Sequence, residues 1–140
     1  MELRDLKGVV TRVPAASKET TIRQLLDLMV RQNTDVLPVV DGNTLVGIVT
    51  EKDLLRLVRA QPVAGVGAVL VEELPRHIEG RYVAEVMSRN PVIASPGQDV
   101  EDVIKKMAAN GIRAIPVVEN GQLLGIARAR DILRKYYSFR

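Results

Sequence analysis

Shifted by 78 positions, the sequence falls on itself. Pro38 meets Pro116, Gly47 meets Gly125 and Asp53 meets Asp131 (116−38, 125−47 and 131−53 all equal 78). At the same offset Met29 meets Met107, and Val39-Val40 meets Val117-Val118. Leu45, Ile48, Leu55 and Arg56 likewise meet their own kind. A duplication is the strongest constraint a chain of 140 residues can carry, because both copies must adopt one unit fold.

Each copy reads as β-α-β-β-α. In the second, Val100, Val103, Ile104 and Met107 stand at i, i+3, i+4 and i+7, the spacing of an amphipathic helix. Asp99 precedes it as an N-cap, and Gly111 after Asn110 stops it. IPVVE, then NG, then QLLGIA predicts a β-hairpin, since Asn-Gly accepts the positive φ angles of a tight turn. A helix follows Gly125, with Ile132 and Leu133 apolar and Arg134-Lys135 near its end. VIA at 92–94 predicts a short first strand. The first copy repeats this order: a helix over 22–32, strands near 36–40 and 45–49, and a helix over 51–59. The organisation expected is a first repeat over 1–60, a connecting segment over 61–81 and a second repeat over 82–140. Pro62, Pro75 and several glycines mark the connection, with a short helix expected around 67–74. The small sheet of each repeat has its helices on one face, so the two repeats are expected to cover each other.

Composition excludes several kinds of chemistry. Without cysteine and with one histidine, His77, there are no disulfides and no Cys/His zinc site. His77 itself reads as a surface residue of the connection. The net charge of +3 is spread among alternating signs and aromatics are 3% of the chain, which argues against nucleic acid. MELRDLKGVV has no apolar signal-peptide core, and VAGVGAVLV at 63–71 is too short to span a bilayer, so a cytoplasmic location is expected. No nucleophile elbow, phosphate loop or zinc-protease motif is present, and no enzymatic activity is expected. Asp99, Glu101 and Asp102 complement a helix dipole. Tyr136-Tyr137 and Phe139 suggest a packed terminal segment or a subunit contact.

The two copies differ most instructively just after the shared glycine, in GIVTEKDLL (47–55) against GIARARDIL (125–133). Thr50 with Asp53 forms a capping-box pattern, which alone stabilises a helix start by about 0.5–2 kcal/mol. Arg128 offers no acceptor, and its charge opposes the helix dipole by about 0.3–1 kcal/mol. Arg130 adds to this. Both placements make sense if an anion docks there, held by guanidinium hydrogen bonds. The plain alternative is that the arginines are solvated or pair with Asp131 or Glu119.

The pattern h-P-V-V-(D/E)-x-x-x-L-h-G-I-x-x-x-x-D resembles the tandem cystathionine-β-synthase-type (CBS) domain family over nearly the whole chain. YVAEVMSRNPVIAS at 82–95 resembles that family's lead-in to its first strand. In repeat 1, Lys7-Gly8-Val9-Val10 breaks the Val-x-x-Val-Met form. Pro14 to Ile22 spans eight positions where Pro91 to Val100 spans nine (22−14 and 100−91). The resemblance implies an α/β fold of two repeats packed through their sheets about a pseudo-twofold axis. It also implies a regulatory adenosine-nucleotide site in the cleft between them. By the family's (Ser/Thr)-x-x-Asp segment, Asp53 and Asp131 would accept from ribose hydroxyls, while Thr50, Arg128 and Arg130 would meet phosphate. Val36-Leu37-Pro38, Ala114-Ile115-Pro116 and Val92-Ile93 correspond to purine-lining positions. AMP, ADP, ATP and S-adenosylmethionine all suit such a site, and no cofactor is required. A homodimer is expected, together with an effector protein that reads the bound state. The rival reading is a ligand-free dimerisation module.

Overall fold

A computed structural model describes residues 1–59 and 78–138. The helix expected at 67–74, His77 and Phe139 lie outside the described residues. The helices are α1 (Ile22–Gln32), α2 (Glu51–Arg59), α3 (Val100–Asn110) and α4 (Ala129–Ser138). The strands are β1 (Val10–Thr11), β2 (Val36–Asp41), β3 (Thr44–Thr50), β4 (Ser88–Arg89), β5 (Ala114–Glu119) and β6 (Gln122–Arg128).

Local chemistry accounts for most of these boundaries. In α1, Ile22, Leu25 and Met29 turn one face to the core, and their counterparts Val100, Val103 and Met107 do so in α3. Thr21 caps α1 by accepting from the Gln24 N–H at 3.1 Å, while the Gln24 side chain accepts from the Thr21 N–H at 2.9 Å. Asp99 caps α3 through the Glu101 N–H at 3.1 Å, and α3 ends on Gly111 with φ of 61°. The hairpins turn by different routes. Asn120 and Gly121 both take positive φ, whereas in the first hairpin the glycine comes first and Gly42 takes it (65°). Each hairpin is irregular at the same place, between Val39 and Val40 and between Val117 and Val118.

The two hairpins share one six-stranded sheet. They meet where Thr44 pairs with Gln122, its own counterpart (122−44 is 78). Self-pairing of equivalent residues is what a two-fold axis through that point requires. The Leu123 N–H donates to the Asn43 carbonyl at 3.0 Å, and the Asn43 amide returns a bond to the Leu123 carbonyl at 3.3 Å.

The segments leading into the repeats are exchanged. β1 pairs with β6, and β4 pairs with β3, so each hairpin is flanked by a strand from ahead of the other repeat. Leu3, Leu6 and Val9 belong to the core of Val100, Val103, Met107, Ile115, Ile132 and Tyr136. Ile78, Val83 and Met87 belong to that of Ile22, Leu25, Met29, Leu37 and Val49. Each fully buried aliphatic side chain contributes about 1.5–3 kcal/mol, so the exchange binds the repeats firmly. It also explains the recurring glycine. A Cβ on Gly125 would stand 2.5 Å from the Thr11 carbonyl oxygen, and one on Gly47 would stand 2.7 Å from the Met87 sulfur.

Two expectations about the lead-ins need correction. The counterpart of Val83-x-x-Val86 is Leu3-x-x-Leu6, not Lys7–Val10. Both stretches open with a 3-10 turn and share a pattern of backbone bonds, with Leu3 N–H donating to Gln98 and Val83 N–H to Thr20. The separation there is 80 (83−3), so a fixed offset of 78 misses it. Nor are Pro14 and Pro91 equivalent. Ala16 bridges Val39 and Ala94 bridges Val117, restoring the offset of 78 (94−16). The strand expected at 92–94 shrinks to that one bridge at Ala94, whose N–H donates to the Pro116 carbonyl at 3.0 Å. Pro91 and Pro96 bracket the stretch and can donate nothing to a ladder.

Candidate functional site

A cleft of about 710 Å³ opens between the repeats, within the range of small-molecule sites. Repeat 1 supplies Val36 from the start of β2, Ile48 and Thr50 from β3, and Asp53 and Arg56 from α2. Repeat 2 supplies Ile112, Arg113, Ala114, Pro116 and Arg128. The exchanged lead-in closes one side with Ser88–Val92.

The capping box is formed. The Thr50 N–H and hydroxyl both donate to Asp53 Oδ2, at 2.9 and 3.2 Å, and the Asp53 N–H donates back to Thr50 Oγ1 at 3.4 Å. This holds the Asp53 carboxylate in one rotamer with its side chain only 10% exposed. Its second oxygen, Oδ1, lies 3.9 Å from an Arg56 nitrogen and keeps capacity to accept.

Arg128 is placed where the sequence did not anticipate. It pairs with neither Asp131 nor Glu119 but reaches across to repeat 1. One guanidinium nitrogen donates to Asp35 Oδ1 at 3.0 Å and the other to Thr34 Oγ1 at 2.8 Å. This fork-like engagement leaves other N–H groups of the guanidinium at the edge of the cleft. The lining also carries Lys52, Arg56, Arg89 and Arg113 against Asp35, Glu51 and Asp53, giving five cations with Arg128 to three anions. Low-dielectric walls concentrate such an excess onto an anion in the cleft.

Of the residues singled out by sequence, Val36, Thr50, Asp53, Val92, Ala114, Pro116 and Arg128 border the cleft. Leu37 and Ile115 do not. Successive strand residues point to opposite faces, and both are fully buried in the repeat cores. Pro38 is buried away from the cleft, and Ile93 is exposed outside it. Arg130 is exposed and Asp131 half-buried, both on the first turn of α4 and neither bordering the cleft. The cleft is also lined by Lys52, Arg56, Arg89, Asn90 and Arg113, none of which the repeat motif marks. Arg113 had a readable signal: it stands three before Pro116, where repeat 1 has Asp35 three before Pro38. Arg89 and Asn90 had none, since only the exchange brings them here. Among the described residues no group of His, Cys, Asp or Glu could hold a metal ion, and no helix is long and apolar enough to cross a membrane.

Comparison with known proteins agrees with this architecture. The CBS domain family matches residues 3–60 and 83–138, and the chain belongs to that family as a tandem CBS pair. It is 31% identical over 124 residues to the CBS domain-containing protein YhcV of Bacillus subtilis, covering 89% of this chain and 79% of that protein. It is 27% identical over 114 residues to protein MJ1225 of Methanocaldococcus jannaschii, covering 81% of this chain but only 35% of that protein. Inosine-5′-monophosphate dehydrogenase of Thermoplasma acidophilum is 30% identical, and the chain spans 22% of its length. Among solved structures, that of CBSX2 in complex with AMP superposes with a TM-score of 0.74 at 23% identity, covering 99% of this chain and 97% of that one. The CBS domain pair of protein MJ0100, in complex with 5′-methylthioadenosine and S-adenosyl-L-methionine, gives 0.72 at 22%, covering 100% and 98%.

Proposed function

We propose that this chain is a regulatory module, without catalysis of its own, that binds an adenosine nucleotide in the cleft between its repeats. The observation that carries the reading is the Asp53 carboxylate, fixed by Thr50 and mostly buried, between apolar walls and an excess of cations. Ribose hydroxyls donate to Asp53 Oδ1. Val36, Ile48, Val92, Ile112, Ala114 and Pro116 offer the apolar contacts a purine needs, and Arg113 and Arg128 stand ready for phosphate, while Thr50 serves by fixing Asp53. Relatives described with AMP, and with 5′-methylthioadenosine and S-adenosyl-L-methionine, support an adenosyl ligand. AMP, ADP and ATP are the preferred candidates and S-adenosylmethionine the next. Such a ligand touches both repeats at once. It therefore favours whichever relative arrangement of them it binds better, and a partner protein reads that arrangement.

Calorimetric titration with adenosine, AMP, ADP, ATP and S-adenosylmethionine tests the reading. A hydrogen bond to a charged group is worth about 1.5–3 kcal/mol, so Asp53→Ala should weaken adenosine and AMP alike by about ten- to a hundredfold. Wild-type affinity in that variant, or no heat with any of the five, sinks the proposal.

A second reading, a dimerisation module with no ligand, draws on exposed Leu55 and Val58 on α2 and Leu133 and Tyr137 on α4. Leu55 and Leu133 are counterparts, so the pseudo-twofold presents an apolar strip on both outer helices. Light scattering should show a homodimer under either reading. A dimer indifferent to all five compounds favours the second.

A further inference from the structure

We infer that Arg128 is a clasp closing the second of two pseudo-equivalent half-sites, so that each chain takes up one nucleotide rather than two. This rests on the nucleotide reading above and specifies its stoichiometry. The pseudo-twofold maps Thr50 onto Arg128 and Arg113 onto Asp35 (128−50 and 113−35 are both 78). There are therefore two crossings between the repeats, built from different pairs. At one, Arg128 of repeat 2 is bonded to Asp35 and Thr34 of repeat 1. At the other stand Thr50 of repeat 1 and Arg113 of repeat 2. A threonine and an arginine form no ion pair, the Thr50 hydroxyl is engaged with Asp53, and among the described residues the Arg113 guanidinium has no partner.

The cleft lies over the second of these crossings and reaches the first, where Asp35 and Arg128 also line it. Asp53, Leu55, Arg56 and Pro116 border it, whereas their counterparts Asp131, Leu133, Arg134 and Pro38 do not. The clasp works by occupancy and sign rather than by bond strength. Asp35 and Arg128 are 57% and 32% exposed, and such pairs are strongly screened. Their side chains nevertheless fill the place where a ligand would reach between the repeats. A phosphate there would meet the Asp35 carboxylate where the open side offers Arg113. Arg128 also lines the open cleft, and the N–H groups it does not spend on Asp35 and Thr34 remain available to a ligand there.

Exchanging the pair tests this. Asp35→Arg combined with Arg128→Thr turns the closed crossing into a copy of the open one, with Asp131 in the role of Asp53. Calorimetry with AMP should give one equivalent per chain for the wild type and two for the double variant. Two equivalents in the wild type, or one in the folded double variant, would overturn the clasp. Should the double variant fail to fold, Arg128→Thr alone is read for the same gain. Should the wild type bind no adenine compound at all, the nucleotide reading falls and the clasp falls with it, whereas two equivalents in the wild type sink the clasp alone.

Discussion

The starts of α2 and α4 face the same backbone problem and resolve it differently. Both follow a strand that ends three residues after the shared glycine, and both leave amide groups without helical partners. At α2 the solution is local: Thr50 and Asp53, three residues apart, satisfy each other. At α4 the corresponding arginine caps nothing and spends its bonds on Thr34 and Asp35, more than 90 residues away in sequence. The core positions behind them have hardly changed, with Ile22, Leu25 and Met29 matched by Val100, Val103 and Met107. Duplication has thus held the scaffold, which packing constrains from every side, and altered the rim, where one change of charge decides which side of the axis is open.

The largest test of this contrast concerns the glycines. Gly125→Ala drives a methyl group into the Thr11 backbone, and it should cost about 1–3 kcal/mol and several degrees of melting temperature. Gly47→Ala should cost less, because its nearest obstacle is the movable Met87 sulfur, although the Ser88 carbonyl stands 3.0 Å away. Equal losses would break the asymmetry. Next in size, Thr50→Ala should remove about 0.5–2 kcal/mol of stability while Thr50→Ser keeps most of it, measured by urea denaturation. The smallest effect belongs to Arg128→Ala. An exposed ion pair worth about 0.2–1 kcal/mol is lost, and relief of a dipole term of about 0.3–1 kcal/mol offsets it, so stability should hardly move. A loss at Arg128 greater than that at Thr50 would reverse the comparison.

Much of the architecture was legible because its causes are local. The boundaries of α3 follow from the 3.6-residue spacing of Val100, Val103, Ile104 and Met107, from the cap at Asp99 and from the stop at Gly111. The second turn follows from Asn120-Gly121. The cleft was legible through Thr50 and Asp53, whose relation spans a single helical turn. What escaped is non-local. The equivalence of Leu3 with Val83 is hidden by two extra positions, and the exchange of lead-ins leaves no mark in either repeat's own pattern. Leu37 and Ile115 were read with the cleft because a run of apolar strand residues does not reveal which of its two faces a ligand meets. The partnership of Arg128 with Asp35 depends on the axis, and no spacing along the chain encodes it.

The exchanged lead-ins also govern the order in which this chain can be completed. During synthesis Leu3, Leu6 and Val9 emerge well ahead of their seat, which includes Ile115, Ala127, Ile132 and Tyr136. β1 finds its partner only when Ala127 arrives, 117 residues after Val10 (127−10). Closing so long a loop is slow, and until it closes the apolar segment ahead of α1 stays open to chaperones or to other copies. The core of repeat 1 has all its members once Met87 emerges, whereas that of repeat 2 must wait for Tyr136. Leu3, Leu6 and Val9 are made early but secured late, and a chain interrupted before α4 leaves their core without Ile132 and Tyr136.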